Sequence, residues 1–141
     1  MKSLRSILTA VFAALLLAAV AQAQQTKVQA TIPFPFVVGN IQYPAGEYAL
    51  KSLTGGGPVI LVTDTDGTNP SMTMSQACES SAPSEVTKLV FHRMGDNLFL
   101  YQIWTAGSER GREFPVSKTE RQLAQNHEPS EAVIVAARLI H

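Results

Sequence analysis

The chain has 141 residues, with 11 basic and 11 acidic side chains and a hydrophobic fraction of 45%. Two of the basic residues, Lys2 and Arg5, lie at the extreme N-terminus, so residues 24–141 carry 9 basic (11 − 2) against 11 acidic side chains, a net charge of −2. This balance predicts neither nucleic acid nor an anionic membrane as a partner, and the apolar content excludes disorder of the main body.

Residues 1–23 are predicted to be a secretory signal peptide. A basic start is followed by the almost wholly apolar run Ile7–Ala21, and Ala21-Gln22-Ala23 is a small-x-small cleavage site. The apolar run is shorter than the ~20 residues that a membrane-spanning helix needs. We therefore expect cleavage after Ala23, export to the periplasm or the medium, and one domain over residues 24–141 that does not insert in the membrane.

The first half of this domain predicts short strands separated by turns. Apolar and polar residues alternate over residues 28–32, which is typical of a half-buried strand. The prolines of residues 33–36 favour an edge or a bend, because proline cannot donate to a strand ladder. Further strands are expected over residues 47–53, 59–62 and 71–77, each bounded by turn sequences.

Residues 87–105 form the clearest predicted hairpin, with Gly95-Asp96 at its tip. This placement pairs Arg93 with Leu98, Phe91 with Leu100 and Leu89 with Gln102. The strand alternation then gives one face Leu89, Phe91, Leu98, Leu100 and Trp104, and the other face Val90, Phe99, Tyr101 and Ile103. Both faces are apolar, so we expect a central hairpin that is covered on both sides.

The C-terminal part predicts a charged loop, a short helix and a last strand. The loop covers residues 107–115, and Ser117 to Glu120 match a capping box that begins a short surface helix ending near Gln125. Residues 131–140 are compatible with strand or helix, and the β-branched run at 133–135 favours strand. Together these elements predict an all-β, single-domain antiparallel sandwich or small barrel with one short surface helix.

Cys78 is the only cysteine of the chain, so an internal disulfide is excluded. A small buried thiol is the favoured interpretation of this residue. An intermolecular disulfide through Cys78, giving a dimer, is the minor alternative.

Three residues of one turn are candidate metal ligands: Asp64, Asp66 and Asn69. They supply the oxygen atoms that Ca²⁺ prefers, but their spacing departs from that of an EF-hand loop. An ordinary Asp-Gly turn is the favoured interpretation. No pair among His92, His127 and His141 has metal-ligand spacing, and we expect no cofactor.

Arginines near the hairpin and the following loop are candidate ligand-binding residues. Arg93, Arg110 and Arg112, with Arg121 nearby, could hold an anion through paired guanidinium hydrogen bonds. The favoured alternative is a mutual ion-pair network with Glu109, Glu113 and Glu120, because mixed surface charges are the rule.

Several segments together carry a resemblance to a known group of proteins. They are residues 32–36, 43–48, 88–96, 99–104 and 111–113. In their combination the chain resembles short, secreted, uncharacterised bacterial β-rich proteins. The resemblance implies export and a β-rich fold, and it implies no activity and no site residue.

These observations favour an exported, non-catalytic β-domain that binds or scaffolds an unknown partner at the bacterial envelope. One alternative is a small extracytoplasmic hydrolase or ion-dependent enzyme, for which Asp64, Asp66 and His92 are the available residues. The other is a barrel that carries an apolar ligand. An enzyme requires a polar cleft with coupled titratable groups, whereas a carrier requires an enclosed apolar cavity.

Overall fold

A computed structural model describes residues 27–53, 57–126 and 130–140. The predicted signal peptide, its cleavage site, His127 and His141 lie outside these ranges. Within them no helix has the length and apolar character that crossing a membrane requires. The described elements are β1 (Lys27–Ile32), β2 (Phe36–Val38), β3 (Ile41–Tyr43), β4 (Gly46–Ser52), β5 (Val59–Asp64), β6 (Ser71–Met74), β7 (Gln76–Glu79), β8 (Lys88–Met94), β9 (Asn97–Trp104), β10 (Arg110–Glu113), α1 (Lys118–Asn126), β11 (Ser130–Ala136) and β12 (Arg138–Ile140).

The strands form two sheets that do not close into a barrel. The first sheet has the order β12-β1-β4-β5-β6, and the second has the order β11-β8-β9-β10-β7, with β2 and β3 attached beside β9. All pairings are antiparallel except that of β2 with β9, which is parallel and joins Val37 to Phe99. The predicted all-β fold is confirmed. The sequence left a sandwich and a small barrel as alternatives, and the structure is a sandwich.

The core lies between the sheets and is filled by the inward residues of each strand. In β1 these are Val28, Ala30 and Ile32, all buried, as the alternation predicts. The Pro33–Pro35 segment is a bend between β1 and β2, so it interrupts no ladder. The ring of Phe36 in the second sheet lies 5.1 Å from that of Tyr48 in the first, and this aromatic contact joins the two sheets.

The hairpin of β8 and β9 has the predicted tip but a different register beyond Phe91. Gly95 has φ 62°, and Arg93 pairs with Leu98 as predicted. A β-bulge then inserts Tyr101 as an extra residue in β9, so Leu89 pairs with Ile103 and not with Gln102. The predicted Leu89–Gln102 pair is therefore wrong.

The bulge also exchanges the faces of the last residues of β9, because an extra residue shifts the side-chain alternation by one. Ile103 belongs to the core between the sheets, and Trp104 is buried on the opposite face, the reverse of the prediction. That opposite face also buries Val90 and Phe99, and α1 packs against β8. A hairpin covered on both sides is confirmed.

Two further predictions changed in detail. Residues 110–113, expected within a loop, form β10 between β9 and β7. Their Arg-Gly-Arg-Glu sequence lacks apolar alternation, since one face carries two arginines and the other carries a glycine and a glutamate. The expected C-terminal strand is confirmed, but a break at Ala137 divides it into β11 in the second sheet and β12 in the first.

The predicted helix is confirmed, with only half of its capping box. The Ser117 hydroxyl accepts a hydrogen bond from the Glu120 backbone N–H at 3.1 Å, as an N-cap does. The Glu120 side chain is buried against His92 and is not directed back to the Ser117 backbone by any described bond. The helix is thus fixed to the outer face of the second sheet by its third residue.

Candidate functional site: a cleft between the two sheets

A cleft of about 360 Å³ opens between the two sheets near β10. Its lining is mostly apolar and comes from both layers. The first sheet and its edge contribute Val28, Leu50, Ser52 and Ile60, and the second contributes Ala77, Ile103, Thr105, Arg110, Gly111 and Arg112. The size falls in the range of small-molecule sites, which bury an apolar ligand body and orient it with few polar groups.

Close to Ala77 and Arg112 of the cleft lining, the chain passes from the first sheet to the second. Ser75 lies between β6 and β7 and is buried. Its backbone N–H donates to the Pro58 carbonyl at 2.7 Å, and its hydroxyl donates to the same oxygen at 2.9 Å. These bonds hold the β6–β7 corner against the start of β5.

Arg112, in the second sheet, forms hydrogen bonds with the same corner. Its Nε donates to Ser75 Oγ at 3.0 Å, and its Nη2 donates to the Ser75 carbonyl at 3.2 Å. Arg112 is half-buried, so these charge-assisted bonds are partly shielded from water. Two of the Arg112 nitrogens therefore already donate hydrogen bonds within the protein.

Arg110 lies on the same face of β10 as Arg112, at the solvent-open mouth of the cleft. Its Nε is 3.6 Å from Glu79 Oε1, and both side chains are largely exposed. Exposed ion pairs of this kind contribute about 0–1 kcal/mol. The Arg110 guanidinium can therefore exchange Glu79 for an anion of a ligand at little cost.

The glycine between these arginines allows β10 to lie close to β9. A Cβ on Gly111 would meet the Ile103 carbonyl at 2.7 Å and the Trp104 indole at 2.8 Å. The indole thus covers the glycine on the outer face, a packing that compensates for the missing side chain. This contact fixes the strand from which Arg110 and Arg112 project on the inner face.

The structure brings together two of the three predicted ligand-binding arginines. Arg110 and Arg112 line the cleft, whereas Arg93 lies near the tip of the β8–β9 hairpin and does not line it. Two members of the alternative ion-pair network have partners outside it, and the network as a whole stays a prediction. Arg110 pairs with Glu79, and Glu120 pairs with His92.

The predicted metal ligands lie in the turn between β5 and β6. Asp64 Oδ1 accepts the Thr68 backbone N–H at 2.7 Å, and Asp64 Oδ2 accepts the Thr68 hydroxyl at 2.5 Å. Asn69 takes a positive φ of 59°, as turn asparagines do. In the part of the chain that the structure describes, no three His, Cys, Asp or Glu side chains could hold a metal ion.

Two of these turn residues, Asp64 and Asn69, line a second cavity of about 450 Å³ with Tyr43, Tyr48 and Pro70. Tyr43 hydrogen-bonds with the Ser71 hydroxyl, and the Tyr48 hydroxyl donates to the Pro44 carbonyl at 2.7 Å. Burial raises the pKa of both tyrosines. The metal site at Asp64, Asp66 and Asn69 stays a prediction.

A polar cluster on the outer face of the second sheet was missed by the sequence reasoning. The His92 ring stacks on Tyr101 with centroids 3.8 Å apart, and its Nδ1 lies 3.4 Å from the Oε1 of buried Glu120. Burial and then the nearby Glu113 raise the pKa of Tyr101. The signal available was Glu120 in the capping box, but only the tertiary fold shows that its carboxylate turns to His92.

Cys78 lies in β7 opposite Gly111, half-buried and with a free thiol. Burial is the largest cause that raises its pKa, and the nearby Glu113 adds to it. The thiol is therefore kept protonated and weakly nucleophilic at neutral pH. The favoured buried thiol is only half-buried, and the minor alternative, a dimer through Cys78, stays a prediction.

Comparisons of the chain with protein-family models, with curated proteins and with solved structures found no match.

Proposed function

We propose that this chain is an exported, non-catalytic binding domain that takes an amphipathic anion in the cleft between its sheets. The ligand class has an apolar body and one terminal carboxylate. The observation that carries the proposal is the apolar cleft with the exposed Arg110 guanidinium at its mouth. Export is supported by the pattern of residues 1–23 and by the resemblance to secreted bacterial proteins.

The two parts of the cleft suit the two parts of such a ligand. Each methylene that leaves water for the apolar walls contributes about 0.8 kcal/mol. The guanidinium fork matches a carboxylate in shape and can bind both of its oxygens. Because Glu79 already lies near Arg110, a ligand carboxylate has to displace it, and most of the affinity should come from the apolar body.

The described lining of the cleft favours binding over hydrolysis. It contains two arginines, a serine and a threonine, and none of its described residues is a carboxylate, an imidazole or a thiol. An acid–base or nucleophilic mechanism requires such groups within hydrogen-bond reach of each other. The apolar-ligand alternative is retained in part, because the cleft is apolar, although the barrel assumed for it is not the fold.

Titration calorimetry with dodecanoate, dodecanol and dodecyltrimethylammonium tests the proposal. The carboxylate should bind more tightly than the alcohol, and the cation more weakly than both, because only the anion matches Arg110. Arg110→Gln should weaken dodecanoate about fivefold or more and leave dodecanol unchanged. Arg121→Gln, on exposed α1, is the matched control and should change neither ligand.

A second pair of variants tests the place of binding without relying on charge. Ala77 is an exposed residue of the cleft lining, so Ala77→Trp should obstruct the cleft and abolish binding of dodecanoate and dodecanol. Ala124→Trp, on the exposed side of α1, should bind both ligands like the parent. Equal affinities in the parent and Ala77→Trp would refute the cleft as the site.

A further inference from the structure

The outer face of the first sheet combines cations with exposed apolar side chains. Inward residues such as Val28, Leu50 and Ile60 are buried, so their chain neighbours project outward. The strand register places Lys27 opposite Lys51, Lys51 opposite Leu61, and Leu61 opposite Met72, in one row across four strands. We define the basic apolar face by Lys27, Lys51, Leu61, Met72, Met74 and Arg138.

The cations of this face have no described anionic partner. Lys27 and Lys51 are directly opposite, an arrangement of like charges that destabilises a sheet. Arg138 is opposite Gln29 on the neighbouring strand pair. None of the three forms an ion pair with a carboxylate in the described ranges. The same side of the sheet carries Glu47, which accepts a hydrogen bond from Gln29 at 2.6 Å.

The apolar half of the face lies on the edge strand β6. Met72 and Met74 are 68% and 57% exposed, and β6 has a neighbour only on the β5 side. Methionine side chains are flexible and unbranched, so they adapt to irregular or fluid apolar surroundings. Met72 adjoins Leu61 and Met74 adjoins Val59, so the methionines extend an apolar strip toward the lysines.

We propose that the basic apolar face docks on an anionic lipid surface. The three cations would lie against lipid headgroups, and the two methionines would enter the boundary with the acyl chains. A cavity of about 290 Å³ lies on the same side of the sheet and is lined by Lys27, whereas Lys51, Met72 and Met74 do not line it. Cations beside an apolar strip that ends in two exposed methionines match an anionic bilayer, which offers negative headgroups next to an apolar interior, better than they match an acidic peptide.

The net charge of the chain gives no indication of this basic apolar face. Residues 24–141 carry a net charge of −2, and this balance does not predict an anionic membrane as a partner. The strand register gathers three cations on one side of one sheet. A cation held at an anionic bilayer strengthens binding about fivefold at physiological salt, so three cations and two inserted methionines suffice for reversible docking.

Vesicle co-sedimentation tests the proposal with protein recovered from the exported fraction. Vesicles of phosphatidylglycerol and phosphatidylcholine should retain the parent protein at low salt, and pure phosphatidylcholine vesicles should not. The double variant Lys27→Glu/Lys51→Glu should bind the anionic vesicles at least about tenfold more weakly. Lys118→Glu, a charge reversal on exposed α1, is the matched control and should bind like the parent.

Further variants separate the apolar contribution from folding. Met72→Ser/Met74→Ser should weaken binding severalfold while leaving its salt dependence unchanged. Circular dichroism checks each fold, and Lys27→Gln/Lys51→Gln replaces the charge reversal if that variant misfolds. Equal binding by the parent and either lysine double variant, or equal binding to both vesicle types, overturns the proposal. Binding to polyglutamate without binding to anionic vesicles also overturns it and assigns the face to an acidic protein.

Discussion

Arg112 and Ser75 join the two sheets at the corner where the chain passes from one to the other. The Arg112 guanidinium donates to both the hydroxyl and the carbonyl of Ser75, and Ser75 in turn donates twice to the Pro58 carbonyl. Loss of the guanidinium would leave the Ser75 carbonyl without this partner. Because both residues are at least half-buried, water would replace the lost hydrogen bond only in part. Of these residues, Arg112 also lines the candidate cleft.

We therefore expect Arg112→Ala to lower the free energy of unfolding by about 1.5–3 kcal/mol, the range for hydrogen bonds from a charged group. Denaturant titration measures this change. Arg121→Ala is the control, because that side chain is exposed and makes one weak bond to the Val116 carbonyl at 3.5 Å. It should change stability by less than about 0.5 kcal/mol. Similar effects of both variants would show that the corner does not depend on Arg112.

Gly111→Ala tests the close approach of β10 to β9. A Cβ there would lie 2.7 Å from the Ile103 backbone oxygen, so the strands or the Trp104 ring must move. We expect a loss of about 1–3 kcal/mol, as overpacking causes, together with a shift in tryptophan emission. Gly46→Ala is the matched control in β4, since its nearest contact would be an ordinary 3.6 Å to the Tyr48 ring. A Gly111→Ala protein as stable as the Gly46→Ala protein would place the indole elsewhere.

The β8–β9 hairpin should be the centre of stability. Phe91 is fully buried between two aromatic neighbours, so Phe91→Ala should cost about 3–5 kcal/mol. Leu100→Ala, on the partner strand, should cost about 2–5 kcal/mol. Ile134→Ala, at a 59% exposed position of adjacent β11, should cost less than about 0.5 kcal/mol. Equal unfolding midpoints of the three variants in guanidinium chloride would contradict the assignment of this core.

Alkaline pH should destabilise the protein through its buried tyrosines. Burial raises the pKa of Tyr43 above the ordinary value of 10.0, so the folded state favours the protonated phenol. This contribution is fully present below pH 10.0 and is lost as the pH rises through the raised pKa. Tyr43→Phe loses the bond to Ser71, about 1 kcal/mol at neutral pH, but it cannot ionise.

The stability difference between the parent and Tyr43→Phe should therefore narrow as the pH rises above 10.0. Thermal unfolding of both proteins across this range measures the difference. A stability difference between the two proteins that stays constant or widens with pH would show that the Tyr43 pKa is not raised in the folded state.

The hairpin illustrates how far the sequence predicted the fold. Gly95 identified the tip and the pairs next to it, because a positive φ at that position selects the turn. The bulge at Tyr101 could not be predicted, since β9 is apolar on both faces and neither alternation was excluded. A strand with one polar face would have revealed the shift.

The candidate cleft was predictable only in its arginines. Arg110 and Arg112 were identified from their charge and their place in the loop after the hairpin, but their common face required β10, which the sequence presented as a loop. The Ser75 corner and the apolar lining come from residues far apart in the chain, brought together by the pairing of β10 with β7 and β9. The row of Lys27 and Lys51 likewise depends on the register of β1 with β4.

The location of the apolar end of bound dodecanoate tests the central claim most directly. A dodecanoate analogue with a nitroxide near its methyl end broadens the amide signals of nearby residues in ¹H–¹⁵N spectra. We predict broadening of residues from both cleft walls, Leu50 and Ile60 in the first sheet and Ile103 in the second, and its loss in Ala77→Trp. Broadening confined to the outer face of either sheet, or none at saturating ligand, would contradict the assignment of the cleft as the binding site.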